Sequence, residues 1–124
     1  MRKSENPYAE LKRIFHEPNR LAIMSALANS ADGLTFNQLK AECDLTDGNL
    51  SRHLEALHRA RAVRIKKYFA GVKPQTRVFL SEGGRESFIE YLKALEEVLK
   101  KAAESVSTAE KDAPVAGLLK PARA

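Results

Sequence analysis

Positively charged side chains are concentrated in one part of the sequence. Between Arg52 and Arg77 the chain has eight cations and one anion, a local net charge of +7, whereas the whole chain has +5. A solvated surface normally mixes charges of both signs, so this cluster favours binding of a polyanion over a basic surface that serves only solubility. The cations are Arg52, Arg59, Arg61, Arg64, Lys66, Lys67, Lys73 and Arg77.

The elements that must position these charges can be predicted from residues 35 to 80. Two short helices, Thr35–Ala41 and Leu45–Leu57, have the spacing of a helix-turn-helix. Two basic strands follow, Val63–Tyr68 and Thr76–Leu80, and they resemble the wing of a winged helix. This architecture places one helix in the major groove of DNA.

The second of these helices has two distinct faces. At 3.6 residues per turn, Leu50, Leu54 and Leu57 share one face and predict the core side. Arg52 lies on the opposite face, where a guanidinium can hold O6 and N7 of guanine. Asn49 and Ser51 fit either adenine or phosphate, Thr46 is the predicted N-cap, and Gly48 indicates either close backbone approach or a loose first turn. The DNA-binding candidates on this helix are Thr46, Gly48, Asn49, Ser51, Arg52, Glu55 and Arg59.

The predicted wing supplies a second set of candidates. Ala70–Gln75 is the expected tip between the strands because it contains a glycine and a proline. We expect the wing cations to contact phosphates, whose recognition needs charge more than shape. The candidates are Lys66, Lys67, Lys73, Gln75 and Arg77.

Amphipathic segments flank this region on both sides. Apolar spacing predicts a first helix over Pro7–His16 and a long last helix over Glu82–Ala103, which Ser81 caps. The 3-4 apolar spacing of the last helix continues for two heptads and would leave an apolar patch exposed on a monomer. We therefore predict one mainly α domain with a small β-wing (α+β) over residues 1–103, and a flexible tail over residues 104–124.

Four stretches carry a family resemblance: Phe15–Leu21, Leu45–Leu57, Val63–Lys67 and Arg77–Arg85. They resemble the winged-helix transcriptional regulators of the MarR and ArsR superfamily. The resemblance implies a homodimer on double-stranded DNA, with the recognition helix in the major groove and the wing on the adjacent minor groove. The resemblance is also compatible with a small-molecule effector. The dimer contacts expected in the first and last helices are Tyr8, Leu11, Phe15, Phe88, Tyr91, Leu92, Leu95, Val98 and Leu99.

Other functions fit the sequence less well. Cys43 is the single cysteine, so neither an internal disulfide nor the ligand set of the metal-sensing branch is expected, and we predict no metal or cofactor. No catalytic motif is evident, so no enzyme activity is expected. Without a secretory signal or an apolar stretch of membrane length, the protein is expected in the cytoplasm. A winged-helix module that binds proteins is the alternative, and non-specific nucleoid binding is a third interpretation.

Overall fold

A computed structural model describes residues 12–110 of the chain. It forms a mostly helical structure with a small antiparallel sheet, which confirms the predicted fold class. Residues 12–15 are helical, and the part of the first predicted helix before them lies outside the described residues. The later elements are α1 (Pro18–Ala28), β1 (Leu34–Thr35), α2 (Phe36–Cys43), α3 (Asp47–Arg59), β2 (Val63–Ala70), β3 (Lys73–Leu80) and α4 (Glu82–Glu110).

The sheet has the strand order β1-β3-β2, with both pairings antiparallel. The β2–β3 hairpin pairs continuously from Val63 with Leu80 to Ala70 with Lys73. The predicted tip Ala70–Gln75 was therefore too long, because only two residues, 71 and 72, form the turn. Gly71 has a φ of +69°, the positive value that a two-residue type II′ turn requires at its first central position.

Pro74 lies inside β3, although proline usually interrupts a strand. It pairs with Phe69 of β2, while β1 pairs only with Arg77 and Val78. The other side of β3 is therefore an open edge at Pro74, where a missing N–H removes no hydrogen bond from the sheet.

The helix-turn-helix forms as the sequence predicts. The Thr46 hydroxyl accepts a hydrogen bond from the backbone N–H of Asn49 at 3.1 Å, which caps the start of α3. Leu50, Leu54 and Leu57 are buried and attach one face of α3 to the core. The opposite face of α3 is therefore directed toward solvent, and its side chains take no part in this packing.

Ser81, which follows β3, connects the turn after α3 to the start of α4. Its hydroxyl donates to the backbone carbonyl of Arg61 at 2.7 Å and accepts from the N–H of Gly84 at 2.8 Å. A Cβ atom added at Gly84 would lie only 2.0 Å from the carbonyl oxygen of Ala62. The close approach of α4 to the turn after α3 therefore depends on glycine at position 84.

Three of the predicted dimer contacts lie inside the chain's own core. Phe15, Phe88 and Tyr91 are all buried, and the rings of Phe15 and Phe88 meet edge to face with centroids 5.3 Å apart. The Tyr91 hydroxyl also lies 2.7 Å from Nδ1 of His16. These aromatic residues stabilise a single subunit, and Tyr8 and Leu11 lie outside the described residues.

The last helix continues to Glu110, beyond the predicted end at Ala103. Residues 104–110 contain no glycine or proline, and Val106 continues the apolar spacing, so nothing in this stretch terminates the helix. The helix spans two compact units of the chain, which divide between Tyr91 and Leu92. The rest of the predicted tail lies outside the described residues. Within residues 12–110, no helix is both long and apolar enough to cross a membrane.

Candidate nucleic-acid interface

The exposed face of α3 carries the side chains that the sequence singled out. Nη2 of Arg52 donates a hydrogen bond to Oδ1 of Asn49 at 2.5 Å, one turn earlier on the helix. Nη2 of Arg59 lies 3.0 Å from a carboxylate oxygen of Glu55. Arg52 has no carboxylate within ion-pair distance in the described part of the chain, and it is exposed. Among the α3 candidates, Arg52 is therefore the side chain best prepared to bind an acceptor outside the protein.

The two faces of the hairpin have different neighbours. Arg64 lies over the ring of Phe79, with its guanidinium carbon 4.9 Å from the ring centroid. Lys66 alternates with Lys67 along β2, so their side chains point to opposite faces of the sheet. Lys67 lies on the face that borders α3, whereas Arg64 and Lys66 lie on the other.

A groove separates α3 from this sheet. It has a volume of about 300 Å³, with Phe36, Leu54 and Ile65 as its apolar lining. Ser51 and Lys67 stand among its polar lining residues, one from the helix and one from the wing. The helix α3 and the hairpin thus border the same groove.

Arg77 is engaged by the protein itself. Its Nη1 atom donates to the backbone carbonyls of Asp32 and Gly33, at 3.1 and 3.4 Å. Gly33 has a φ of +75°, and an added Cβ would lie 2.5 Å from the carbonyl oxygen of Val78. Arg77 therefore holds the wing against the turn before β1, and contact with phosphate would use its remaining N–H groups.

The other predicted positions differ in exposure. Thr46, Gly48, Ser51, Arg52, Glu55 and Arg59 are exposed on or beside α3, and Asn49 is half-buried. Lys66, Lys67 and Lys73 are exposed on the hairpin, while Gln75 and Arg77 are half-buried. The fold thus brings the α3 candidates to one helix face and the wing candidates to the neighbouring hairpin.

His53 connects α3 to the start of α1. It is buried, and its Nδ1 atom lies 3.3 Å from Nη1 of Arg20. The same Nδ1 atom lies 3.9 Å from a carboxylate oxygen of Glu17. Arg20 also donates from Nε to the carbonyl of Ile14, and Glu17 caps α1 by accepting from the Arg20 N–H. The buried His53 ring therefore helps to orient α3 against the start of α1.

Cys43 lies half-buried at the end of α2. Partial burial, with a smaller contribution from the carboxylate of Glu42, raises the pKa of the Cys43 thiol above its ordinary value. The thiol is therefore protonated at neutral pH and a poor nucleophile, which disfavours a redox-sensing role. Among the residues that the structure describes, no group of three or more His, Cys, Asp or Glu could hold a metal ion.

Two apolar side chains on the wing were not among the predicted contacts. Phe69 and Val72 are large and apolar, yet 71% and 92% exposed. The sequence pattern did not indicate their exposure, because it depends on the strand pairing that reduces the tip to a two-residue turn.

Comparison with known proteins assigns this architecture to a family. Residues 19–99 match the family described as Winged helix DNA-binding domain. A curated, uncharacterised protein of Methanocaldococcus jannaschii is 34% identical over 80 residues, which are 64% of this chain and 86% of that protein.

Solved structures share this fold. A transcriptional regulator homologue from Pyrococcus horikoshii OT3 is 30% identical, with a TM-score of 0.69, over 78% of this chain and 97% of that one. The MepR–DNA complex from Staphylococcus aureus has a TM-score of 0.57 at 14% identity, over 90% and 94% of the two chains, and shares the fold. This fold and family are those of transcriptional regulators and not of enzymes. The chain belongs to the winged helix DNA-binding domain family.

Proposed function

We propose that this protein is a transcription regulator that binds specific sequences of double-stranded DNA as a homodimer. In this proposal α3 enters the major groove and the β2–β3 hairpin meets the adjacent minor groove. The observation that carries the proposal is the exposed Arg52 face of α3 beside a basic hairpin. From Ala56 to Ser81 the sequence contains no Asp or Glu. The charged side chains of this surface are therefore all positive, and they attract the phosphates of a duplex.

The first turn of α3 supports close contact with DNA. A Cβ atom added at Gly48 would meet no other atom within 4 Å, so packing within the chain does not require glycine there. Glycine nevertheless costs a helix about 1 kcal/mol relative to alanine. A backbone that must approach the duplex closely would explain why this position lacks a side chain.

The related structures support the DNA partner. The MepR structure from Staphylococcus aureus is a complex with DNA, and the Pyrococcus horikoshii protein is a transcriptional regulator homologue. A regulator of bacterial or archaeal type acts on DNA in the cytoplasm, and cytoplasmic location is part of the proposal.

Selection of bound duplexes from a random DNA pool tests this function directly. A dimeric regulator should enrich a two-part, inverted-repeat sequence whose half-sites are separated by about one helical turn, roughly 34 Å, or a multiple of it. Enrichment of no sequence would indicate non-specific binding, and recovery of no DNA at all would support the protein-binding alternative.

The exposed side of α4 supports the homodimer. Leu92, Val98 and Leu99 are 39%, 56% and 59% exposed, and Leu95 is half-buried. Leu92, Leu95 and Leu99 follow the spacing of a two-helix seam, in which each apolar side chain fits between side chains of a partner helix. With Phe15, Phe88 and Tyr91 already buried in the subunit, the dimer contact would rest on this part of the stripe.

Replacing Leu99 with Asp should abolish dimerisation. Leu99 is largely exposed in the single chain, so the substitution should leave the subunit folded while it places a charge in the proposed seam. Sedimentation at tens of micromolar protein, an order-of-magnitude choice for a stable dimer, measures the change. Thr108→Asp adds the same charge at an exposed position on the opposite face of α4 and should remain dimeric. A wild-type protein that sediments as a monomer would rule out this contact.

Replacing Lys73 with Ala should weaken binding to specific and random duplexes by similar factors. The loss of one phosphate contact should reduce the log-log slope of affinity against salt by about 0.9. Arg77→Ala should instead lower the thermal midpoint of unfolding, because it removes the bonds to the carbonyls of Asp32 and Gly33. Binding measured across a salt series separates the two variants. An unchanged slope for Lys73→Ala would mean that this part of the wing does not contact phosphate.

A further inference from the structure

Two large apolar side chains project from the end of the hairpin. Among the described residues, Phe69 and Val72 are the most exposed large apolar side chains of the chain. Gly71 allows the tight turn that places them there, and Phe69 is paired with Pro74, which is also exposed. Because neither side chain is covered by the chain's own core, folding of the subunit does not account for them.

The surroundings of these two side chains are cationic. Lys66, Lys67 and Lys73 are exposed on the same hairpin, which carries no acidic residue. The tip is thus an apolar surface bordered by positive charge. A complementary partner presents an apolar surface bordered by negative charge, and the minor groove of DNA does so with sugar faces between two rows of phosphates.

We propose that Phe69 and Val72 are minor-groove contacts, which pack against the sugars and base edges while neighbouring lysines meet the phosphates. This inference rests on the proposed function and extends it by naming the groove-reading side chains of the wing. Apolar side chains are known to enter the minor groove of duplexes in other architectures. The contact adds affinity that does not depend on salt, together with a preference for a groove floor free of guanine amino groups.

The position of the tip favours DNA over an anionic membrane surface. Phe69 shares a face of the sheet with Lys67, because side chains two residues apart on a strand point the same way. Lys67 lines the groove beside Ser51 of α3, so the apolar tip continues the surface that α3 presents. Two apolar side chains are also a small area for membrane insertion, which strengthens with buried apolar surface.

A double variant with Phe69→Ser and Val72→Ser tests the contact. On the duplex selected by wild type, its affinity should fall by about tenfold at every salt concentration, since it loses buried apolar surface and no charge. Its salt slope should equal that of wild type, whereas Lys73→Ala serves as the matched control whose slope falls. Its thermal midpoint should be unchanged because both side chains are exposed.

Modified duplexes locate the contact in the minor groove. Inosine·cytosine and guanine·cytosine pairs differ only by the amino group in that groove. With these pairs placed at the flanks of each half-site, wild type should bind the inosine duplex severalfold more tightly, and the double variant should bind both equally.

Several outcomes would overturn this inference. They are an unchanged affinity of the double variant, a change in its salt slope like that of Lys73→Ala, or a flank preference that survives the substitutions. Wild-type binding to phosphatidylserine vesicles that requires Phe69 and Val72, with DNA binding unaffected, would assign the tip to a membrane instead. A wild-type protein that binds no duplex would contradict the proposed function itself. The other outcomes are distinct from this one, because each of them requires that wild type binds DNA.

Discussion

Replacing Arg52 with Ala is expected to weaken binding to the selected duplex by about 1–3 kcal/mol, the usual range for losing a bidentate contact to guanine. Arg52 is exposed, and its side-chain hydrogen bond goes to Asn49 on the same helix, so its removal should leave the core side of α3 intact. The preference at one base position in each half-site should relax, because the guanidinium makes the contact that distinguishes the bases. Competition binding against single-base variants of the duplex measures both effects.

Arg52→Lys is the control that separates base contact from phosphate contact. Lysine retains the positive charge but lacks the planar pair of donors that matches guanine. If Arg52 reads a base, Arg52→Lys should lose sequence preference almost as Arg52→Ala does, while it keeps the salt slope of wild type. If Arg52 meets only phosphate, lysine should restore most of the affinity. The hypothesis is falsified if folded Arg52→Ala binds the selected duplex as tightly as wild type.

Replacing Gly84 with Ala is expected to lower the free energy of unfolding by about 1–3 kcal/mol, the typical cost of forcing an extra methyl group into a packed site. The new Cβ would lie 2.0 Å from the carbonyl oxygen of Ala62, a backbone atom that cannot move alone. Displacing α4 would also disturb the bonds of Ser81 to Arg61 and Gly84. Chemical denaturation of the two proteins gives the difference in unfolding free energy.

Gly83→Ala provides a matched control at the neighbouring position. An added Cβ there meets nothing within 4 Å, so alanine should be tolerated or should stabilise the helix by up to about 1 kcal/mol. Opposite signs for these two substitutions would establish that the close approach at residue 84, and not helix propensity, determines the effect. Equal stability of Gly84→Ala and wild type would show that α4 can lie farther from the turn after α3.

The position of α3 and the direction of its two faces could be predicted from the sequence. Three leucines at helical spacing can be buried together only if Arg52 and Glu55 face solvent, and Thr46 supplies the cap where the helix begins. The clustering of charge could also be predicted from the sequence, since it depends only on the order of the residues along the chain. Strand ends and the last helix were less predictable: pairing extended the hairpin past Pro74, and α4 continued to Glu110 because no residue before that point stops it.

Which side chains are available to a partner depends on contacts between distant parts of the chain. Phe15, Phe88 and Tyr91 have the same apolar character and helical spacing as Leu99, yet they are buried together in one subunit while Leu99 is exposed. Arg77 and Lys73 are both wing cations in the sequence, but only contact across the chain shows that Arg77 donates to the turn before β1. Periodicity determines which residues share a face, whereas the partner of that face depends on contacts between residues far apart in the chain, which local patterns do not encode.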